Sequence, residues 1–382
     1  MKIETKCVWA GVSKNEKTGS ISMPIYQTAT FKHPGLTEST GYDYSRTGNP
    51  TREAVEKSIA ELESGTRGLA FSSGMAAISA FIHLFKSGDH IIVSNDLYGG
   101  TYRLLEQIYA SLGLKVTYVN TSDLAQMEKA VKGITKGILI ESPSNPMMKI
   151  ADISLIADFA RRHGLLLAVD NTFMTPYWQQ PLSLGADIVI HSASKYLGGH
   201  NDLVAGLIAV KDPGLGEKLG FIQNSIGSIL GPQDSWLLLR GLKTLAVRLE
   251  QSQKNAFELV HWLKKHPQVK SVYYPGLKEH PGYQIMTKNC TGFGAMISFE
   301  VAQPALIGTV LNRLKLISFA ESLGGVESLI TFPCQQTHAD IPKEIRDELG
   351  ITDCLLRLSV GIEHVGDLIN DLDQALTIEE DN

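Results

Sequence analysis

Short apolar runs alternate with segments of helical spacing through the first part of the chain. Ala54, Val55, Ile59 and Leu62 recur at helical intervals and predict a helix over 52–62. Beyond it the pattern predicts a helix from Ser73, a strand at 90–94, a helix from Thr101 and a strand at 114–119. A helix around 124–131, a strand at 137–141 and a helix at 153–163 follow. Two further apolar runs then stand in succession. Residues 165–169 lead into Asp170-Asn171-Thr172, and residues 186–190 lead into His191-Ser192-Ala193-Ser194-Lys195. Continuous apolar runs between helices are what strands buried on both faces require, so the expected class is α/β with a mostly parallel sheet covered by helices.

The pattern changes near Gly231-Pro232-Gln233. One long helix is predicted from about Asp234 through His261, then β-like segments at 295–300 and 355–360 with helices at 304–314 and 365–376. This reads as a smaller C-terminal α+β domain, 231–382, behind a large domain, 56–230. Residues 1–55 are rich in Gly, Ser, Thr and Tyr and lack helical periodicity, which suits a loose tail or an arm lying on another subunit.

Composition removes several function classes. The 382 residues are 43% hydrophobic and 20% charged, an ordinary balance for a chain with a large buried core. A net charge of -5 without any long basic run gives no footprint for nucleic acid. The scattered Cys7, Cys290, Cys334 and Cys354 read as reduced thiols, with neither a disulfide frame nor a zinc site. The histidines show no ligand spacing, so no metal is expected. The start of the chain has no signal-peptide core and no long apolar span occurs, so the expected location is cytoplasmic.

Asp170 and Lys195 stand 25 residues apart, about one strand–connection–strand step. Adjacent strands with their carboxyl ends together would bring both groups to the crevice where open α/β sheets bind ligands. An amine able to form a Schiff base and a carboxylate able to hold a pyridinium nitrogen are the pair that pyridoxal phosphate (PLP) requires. Each group alone has a plainer reading, as a lysine reaching solvent or an aspartate capping a helix. Phe71-Ser72-Ser73-Gly74-Met75 turns into an apolar helix whose first N–H groups can hold a phosphate, or which Ser73 simply caps. Ser192 and Ser194 can donate to the same phosphate. Rival phosphate motifs are missing: there is no G-x-x-x-x-G-K-[ST], and Gly214-Leu215-Gly216 lacks the third glycine of G-x-G-x-x-G. Arg357 lies in an apolar strand, where a guanidinium is costly to bury unless paired; it suits a substrate carboxylate, or snorkels from an edge. Tyr44-Ser45-Arg46 by itself reads as a solvated turn.

Taken in order, the motifs Tyr44-Ser45-Arg46-Thr47-Gly48-Asn49-Pro50-Thr51-Arg52, Ser73-Gly74-Met75, Tyr98-Gly99-Gly100-Thr101 and Glu141-Ser142-Pro143-Ser144-Asn145-Pro146 form a distinctive set. Val169-Asp170-Asn171-Thr172-Phe173, His191 to Tyr196, Glu321-Ser322-Leu323-Gly324-Gly325 and Arg357-Leu358-Ser359-Val360-Gly361 continue it. Over nearly its whole length the chain resembles the Cys/Met-metabolism family of fold-type-I PLP enzymes. The resemblance implies PLP on Lys195, its ring nitrogen held by Asp170 and Tyr98 stacked on its face. Gly74, Met75, Thr172, Ser192 and Ser194 would line the cofactor seat, with Tyr44 and Arg46 reaching in from a neighbouring subunit of a homotetramer. Ser194 stands where many members have Thr, and the hydroxyl is kept. Asn145, Ser322 and Arg357 would take the substrate's α-carboxylate, with Thr337 supporting Arg357. Lys195 and Tyr98 would move protons, the phenol helped by nearby cations. Gly100, in place of the cysteine of methionine γ-lyases, and the acid Glu321 favour γ-chemistry on a longer substrate. Arg103 suits that substrate's far carboxylate. The implied reaction is γ-elimination of L-cystathionine to L-cysteine, 2-oxobutyrate and ammonia; γ-replacement on an O-acylhomoserine and β-elimination are the alternatives.

Overall fold

The structure, a computed structural model, describes residues 1–12 and 18–377. The chain forms two compact units, Met1–Lys86 with Ala168–Ala246, and Ser87–Leu167 with Val247–Asn382.

The first unit opens with α1 (Ile3–Trp9) and α2 (Pro50–Leu62). Asn49 starts α2 by accepting from the N–H groups of Thr51 and Arg52, and Pro50 pre-sets its first turn. Val55, Ile59 and Leu62 are buried along one stripe, as their spacing predicts. Strand β1 (Arg67–Phe71) leads into α3 (Gly74–Ile82), capped by Ser73. After the end of β5 (Leu166–Asp170) come α7 (Thr175–Trp178), β6 (Ile188–Ser192), β7 (Gly206–Val210), α8 (Pro213–Ile226) and α9 (Pro232–Leu242). Strand β6 pairs parallel with β5, while β7 runs antiparallel to both β6 and β1. Ile188, Val189 and Ile190 are wholly buried, which explains their unbroken apolar run.

The second unit holds β2 (His90–Ser94), α4 (Gly99–Arg103) continued by a π-helical turn at Leu104–Tyr109, β3 (Lys115–Val119) and α5 (Leu124–Ala130). It continues through β4 (Thr135–Glu141) and α6 (Ile153–His163), the latter capped by Asp152 and closed by left-handed Gly164. Strand β2 pairs parallel with β3 and β4. In the first unit the strand order is β1-β7-β6-β5, and in this unit it is β4-β2-β3.

A second sheet of five strands, β10-β11-β12-β9-β8, lies in this unit. Its members are β8 (Val269–Tyr273), β9 (Met296–Val301), β10 (Ser318–Phe319), β11 (Leu329–Thr331) and β12 (Leu355–Ser359), accompanied by α11 (Tyr283–Asn289), α12 (Ala305–Arg313), α13 (Lys343–Leu349) and α14 (Val365–Leu376).

The single long helix expected from Asp234 is in fact two, α9 and α10 (Leu245–Leu263). Thr244 sends both its N–H and its hydroxyl to the Gly241 carbonyl, tightening the turn and ending the α-helical ladder there. Among the described residues no helix is long and apolar enough to cross a membrane.

Candidate active site

The paired strands β5 and β6 set Asp170 opposite Ile190, so both chains leave the sheet side by side at their carboxyl ends. Thr172 then turns back. Its backbone N–H donates to Asp170 Oδ1 at 3.0 Å and its hydroxyl donates to the same oxygen at 2.5 Å. The Thr172 hydroxyl in turn accepts from the Ser192 N–H at 2.8 Å, tying the two strand ends together. Asp170 Oδ2 takes no hydrogen bond from any described residue. Burial raises the Asp170 pKa, and the Thr172 bonds oppose that shift. A half-buried carboxylate with one satisfied oxygen and one bare one is a seat for a cation, such as a protonated pyridine nitrogen.

Behind this carboxylate, Asn171 is fully buried and donates to Glu63 Oε1 and to the Gln179 carbonyl. The same Glu63 oxygen meets His191 Nε2 at 2.7 Å, both side chains wholly buried. The residues flanking the strand ends are therefore locked in place by polar contacts that a run of apolar letters does not reveal.

Lys195 follows in the turn after β6, half-buried, its N–H donating to the Ser192 carbonyl and its carbonyl accepting from Gly199. Ser194 accepts from the Ala205 N–H at 3.0 Å, so its hydroxyl is already engaged by backbone. Ser192 Oγ makes no hydrogen bond to any described residue. The start of α3 rests directly on these strand ends. A Cβ on Gly74 would lie 2.9 Å from Ser192 Cβ, and one on Gly206 would lie 2.0 Å from the Ser73 carbonyl oxygen. Only glycines allow that approach, which brings the first-turn N–H groups of Gly74 and Met75 beside Ser192. These features fit a phosphorylated pyridine ring, with an anion seat at α3, a cation-holding oxygen at Asp170 and an amine at Lys195. Tyr44 and Arg46 lie elsewhere in this unit, both exposed, with the guanidinium 5.6 Å from the Tyr44 ring centre. They line a surface cavity of about 380 Å³ with Gly227 and Ile229, and Arg46 Nε donates to Asn224.

The second unit holds a buried guanidinium. Arg357 on β12 donates to Asn145 Oδ1 at 2.8 Å, to the Ser322 carbonyl at 3.0 Å and to Thr331 Oγ1 at 3.1 Å. Ser322 has a positive φ of 88°, a strained conformation that aims its carbonyl at this group. The hydroxyl on Arg357 is thus Thr331's. Thr337, expected there, instead bonds His338 Nδ1 at 2.8 Å and reaches Arg357 only through His338 and Asn145. Thr331 faces Arg357 because it is that residue's register partner across β11 and β12, a pairing no local motif announces. Tyr98 is exposed ahead of α4, and its N–H donates to Glu141 at 3.0 Å. A Cβ on Gly100 would lie 2.4 Å from the Tyr98 ring, so any larger residue there displaces the phenol. Arg103 is exposed and paired with Asp340 at 2.7 Å, so a substrate carboxylate would have to displace Asp340. Glu321 is exposed beside Ser322.

The family described as Cys/Met metabolism PLP-dependent enzyme matches residues 4–377. A Bacillus subtilis (strain 168) cystathionine gamma-lyase is 54% identical over 98% of this chain and 99% of its own. A cystathionine gamma-synthase/O-acetylhomoserine (thiol)-lyase of the same organism is 53% identical over 98% and 96%. A cystathionine beta-lyase of Lactococcus lactis subsp. cremoris (strain MG1363) is 51% identical over 98% of each chain. The solved structure of a cystathionine gamma-lyase from Lactobacillus plantarum, complexed with L-serine, superposes with a TM-score of 0.96 at 51% identity, covering 98% of each chain. This likeness gives the chain the architecture of fold-type-I PLP enzymes.

Proposed function

This chain belongs to the Cys/Met-metabolism PLP-dependent enzyme family, and on that premise we propose that it splits L-cystathionine at the Cγ–S bond. With water, the products are L-cysteine, 2-oxobutyrate and ammonia. The cofactor is PLP. When bound, it supplies an electron sink for the charge left when protons depart from substrate carbon. Asp170 Oδ2 holds the proton on the ring nitrogen, and the two Thr172 bonds on Oδ1 keep that oxygen pointed correctly. Gly74, Met75 and Ser192 bind the phosphate, with Ser194 fixing the turn through Ala205. Lys195 Nζ anchors the cofactor and then moves the α-proton. Tyr98 Oη delivers a proton to the departing sulfur. Arg357, fixed by Asn145, Thr331 and Ser322, binds the α-carboxylate as a planar fork.

The observation that carries the reading is the half-buried Asp170, with Oδ1 satisfied and Oδ2 bare, on the strand next to the one that leads into Lys195. The γ-preference draws support from the similarity to a relative named cystathionine gamma-lyase and from the acid at Glu321. Arg103 would reach the distal carboxylate by exchanging Asp340 for it. Tyr44 and Arg46 serve the phosphate of a neighbouring copy in a homotetramer of paired subunits; their exposure within one chain supports that reading. The test is to incubate purified enzyme with L-cystathionine and separate the products. Cysteine with 2-oxobutyrate is expected. Homocysteine with pyruvate would make the chain a β-lyase. Replacement on an O-acylhomoserine by cysteine, far outpacing cleavage, would make it a γ-synthase.

A further inference from the structure

His338 has no part in the chemistry just described, yet it is wholly buried. Its Nε2 lies 2.9 Å from the Asn145 carbonyl oxygen, which can only accept, so Nε2 carries the hydrogen. Burial, with Arg357 nearby, holds the ring's pKa down at about 4, so the ring is neutral and Nδ1 is an acceptor. The Thr337 hydroxyl, 2.8 Å away, donates to it. Asn145, held through its carbonyl by His338, uses its side chain to grip Arg357 at 2.8 Å.

The same short segment also touches the Tyr98 region at three points. The Leu97 backbone lies beside the His338 ring and acts on it electrostatically. The Thr337 carbonyl oxygen packs so closely on Gly99 that a Cβ there would lie 2.2 Å away. Asp340 pairs with Arg103 at 2.7 Å, one helical turn beyond Tyr98. Leu97 and Gly99 stand on either side of Tyr98 in the chain, while Asn145 and Arg357 form the carboxylate cradle.

We propose that His338 is a positioning residue that fixes the Tyr98 segment and the Asn145–Arg357 cradle in one relation, so that a bound carboxylate and the proton-carrying phenol stay in register. This rests on the reading of Arg357 as the carboxylate ligand. Losing the ring removes the hydrogen bond that orients Asn145 and leaves a buried carbonyl unpaired. It also frees the backbone that sets Tyr98.

The test uses the PLP-loaded enzyme and two amines, L-alanine and ethylamine, which differ in the carboxylate. Each is titrated by the change in the cofactor's visible absorbance, and kcat and KM are measured with L-cystathionine. His338→Leu keeps the bulk and removes the polar atoms; His338→Gln keeps an N–H donor. In His338→Leu the L-alanine dissociation constant is expected to rise about tenfold, the loss of one buried hydrogen bond, with ethylamine and cofactor affinity unchanged. Its kcat falls as well, and His338→Gln recovers most of both. If His338→Leu does not accumulate as folded protein, Thr337→Val decides, with about a threefold loss of L-alanine affinity expected from freeing the ring. Arg357→Ala separates the two ideas. If it leaves L-alanine binding unchanged, the carboxylate reading itself fails. If Arg357→Ala weakens binding but His338→Leu, or Thr337→Val in its place, binds L-alanine as wild type does, the proposal is overturned. Equal weakening toward L-alanine and ethylamine also overturns it, since that marks a general structural role.

Discussion

A carboxylate that burial would neutralise stays useful only if something makes its charge worth keeping. Asp170 meets that condition through the two Thr172 bonds on one oxygen and an available second oxygen. Asp170→Asn keeps the shape and removes the charge. Its kcat is expected to fall by about two to three orders of magnitude, the scale of losing a preorganised electrostatic partner, while the melting temperature changes little. Steady-state rates and a thermal melt check this, and a kcat within about twofold of wild type would remove Asp170 from the proposed mechanism. Asp170 and Lys195 were legible in the sequence because each closes an apolar run with a reactive group. Thr331 and His338 were not. Thr331 meets Arg357 only through the pairing of β11 and β12, and His338 only through a loop folded back onto Asn145. Local spacing carries neither relation.

At the scale of the element, the strands and helices of alternating pattern were the readable part. Strand β2 occupies the residues its apolar run indicates, and α14 likewise. The join between α9 and α10 was hidden, because Thr244 looks like any helical residue until its hydroxyl is seen on Gly241. Strand β1 was also hidden, being a short run that is defined by its antiparallel partner β7. A second buried polar device sits at the start of β2, where His90 bridges Thr117 of β3 and Thr135 of β4, each at 2.8 Å. Burial, reinforced by Lys132 and Lys115, lowers its pKa to about 4, so the folded state holds the neutral ring. The stability this gives is fully present above the unfolded value near 6.5 and is lost as the pH falls from there toward 4; His338 adds to it in the same direction. The melting temperature should therefore drop between pH 7 and pH 5. His90→Gln should melt lower at pH 7 but lose part of that slope. Identical slopes in the two proteins would show that His90 is not held neutral.

At the scale of the whole molecule, the proposed cofactor residues Asp170, Lys195, Gly74 and Ser192 belong to the first compact unit. Tyr98, Asn145 and Arg357 belong to the second. The exposed Tyr44 and Arg46 belong to the first as well, and in the proposed assembly they complete a neighbour's site. Mixing inactive Arg46→Ala with inactive Lys195→Ala under conditions of subunit exchange should then restore part of the activity. Each hybrid pair would contain one site with an intact lysine and an intact arm. Exchange without recovery would place Arg46 in its own chain's site or in none.

The claim beneath all of these is that the turn after β6 carries the cofactor on Lys195. Reduction of the PLP-loaded enzyme with borohydride, followed by peptide mapping, fixes the modified side chain permanently and tests the claim directly. The account predicts a single pyridoxyl-phosphate adduct, on the peptide containing His191-Ser192-Ala193-Ser194-Lys195, and none in Lys195→Ala. A stoichiometric adduct on any other lysine, with Lys195 unmodified, would contradict it.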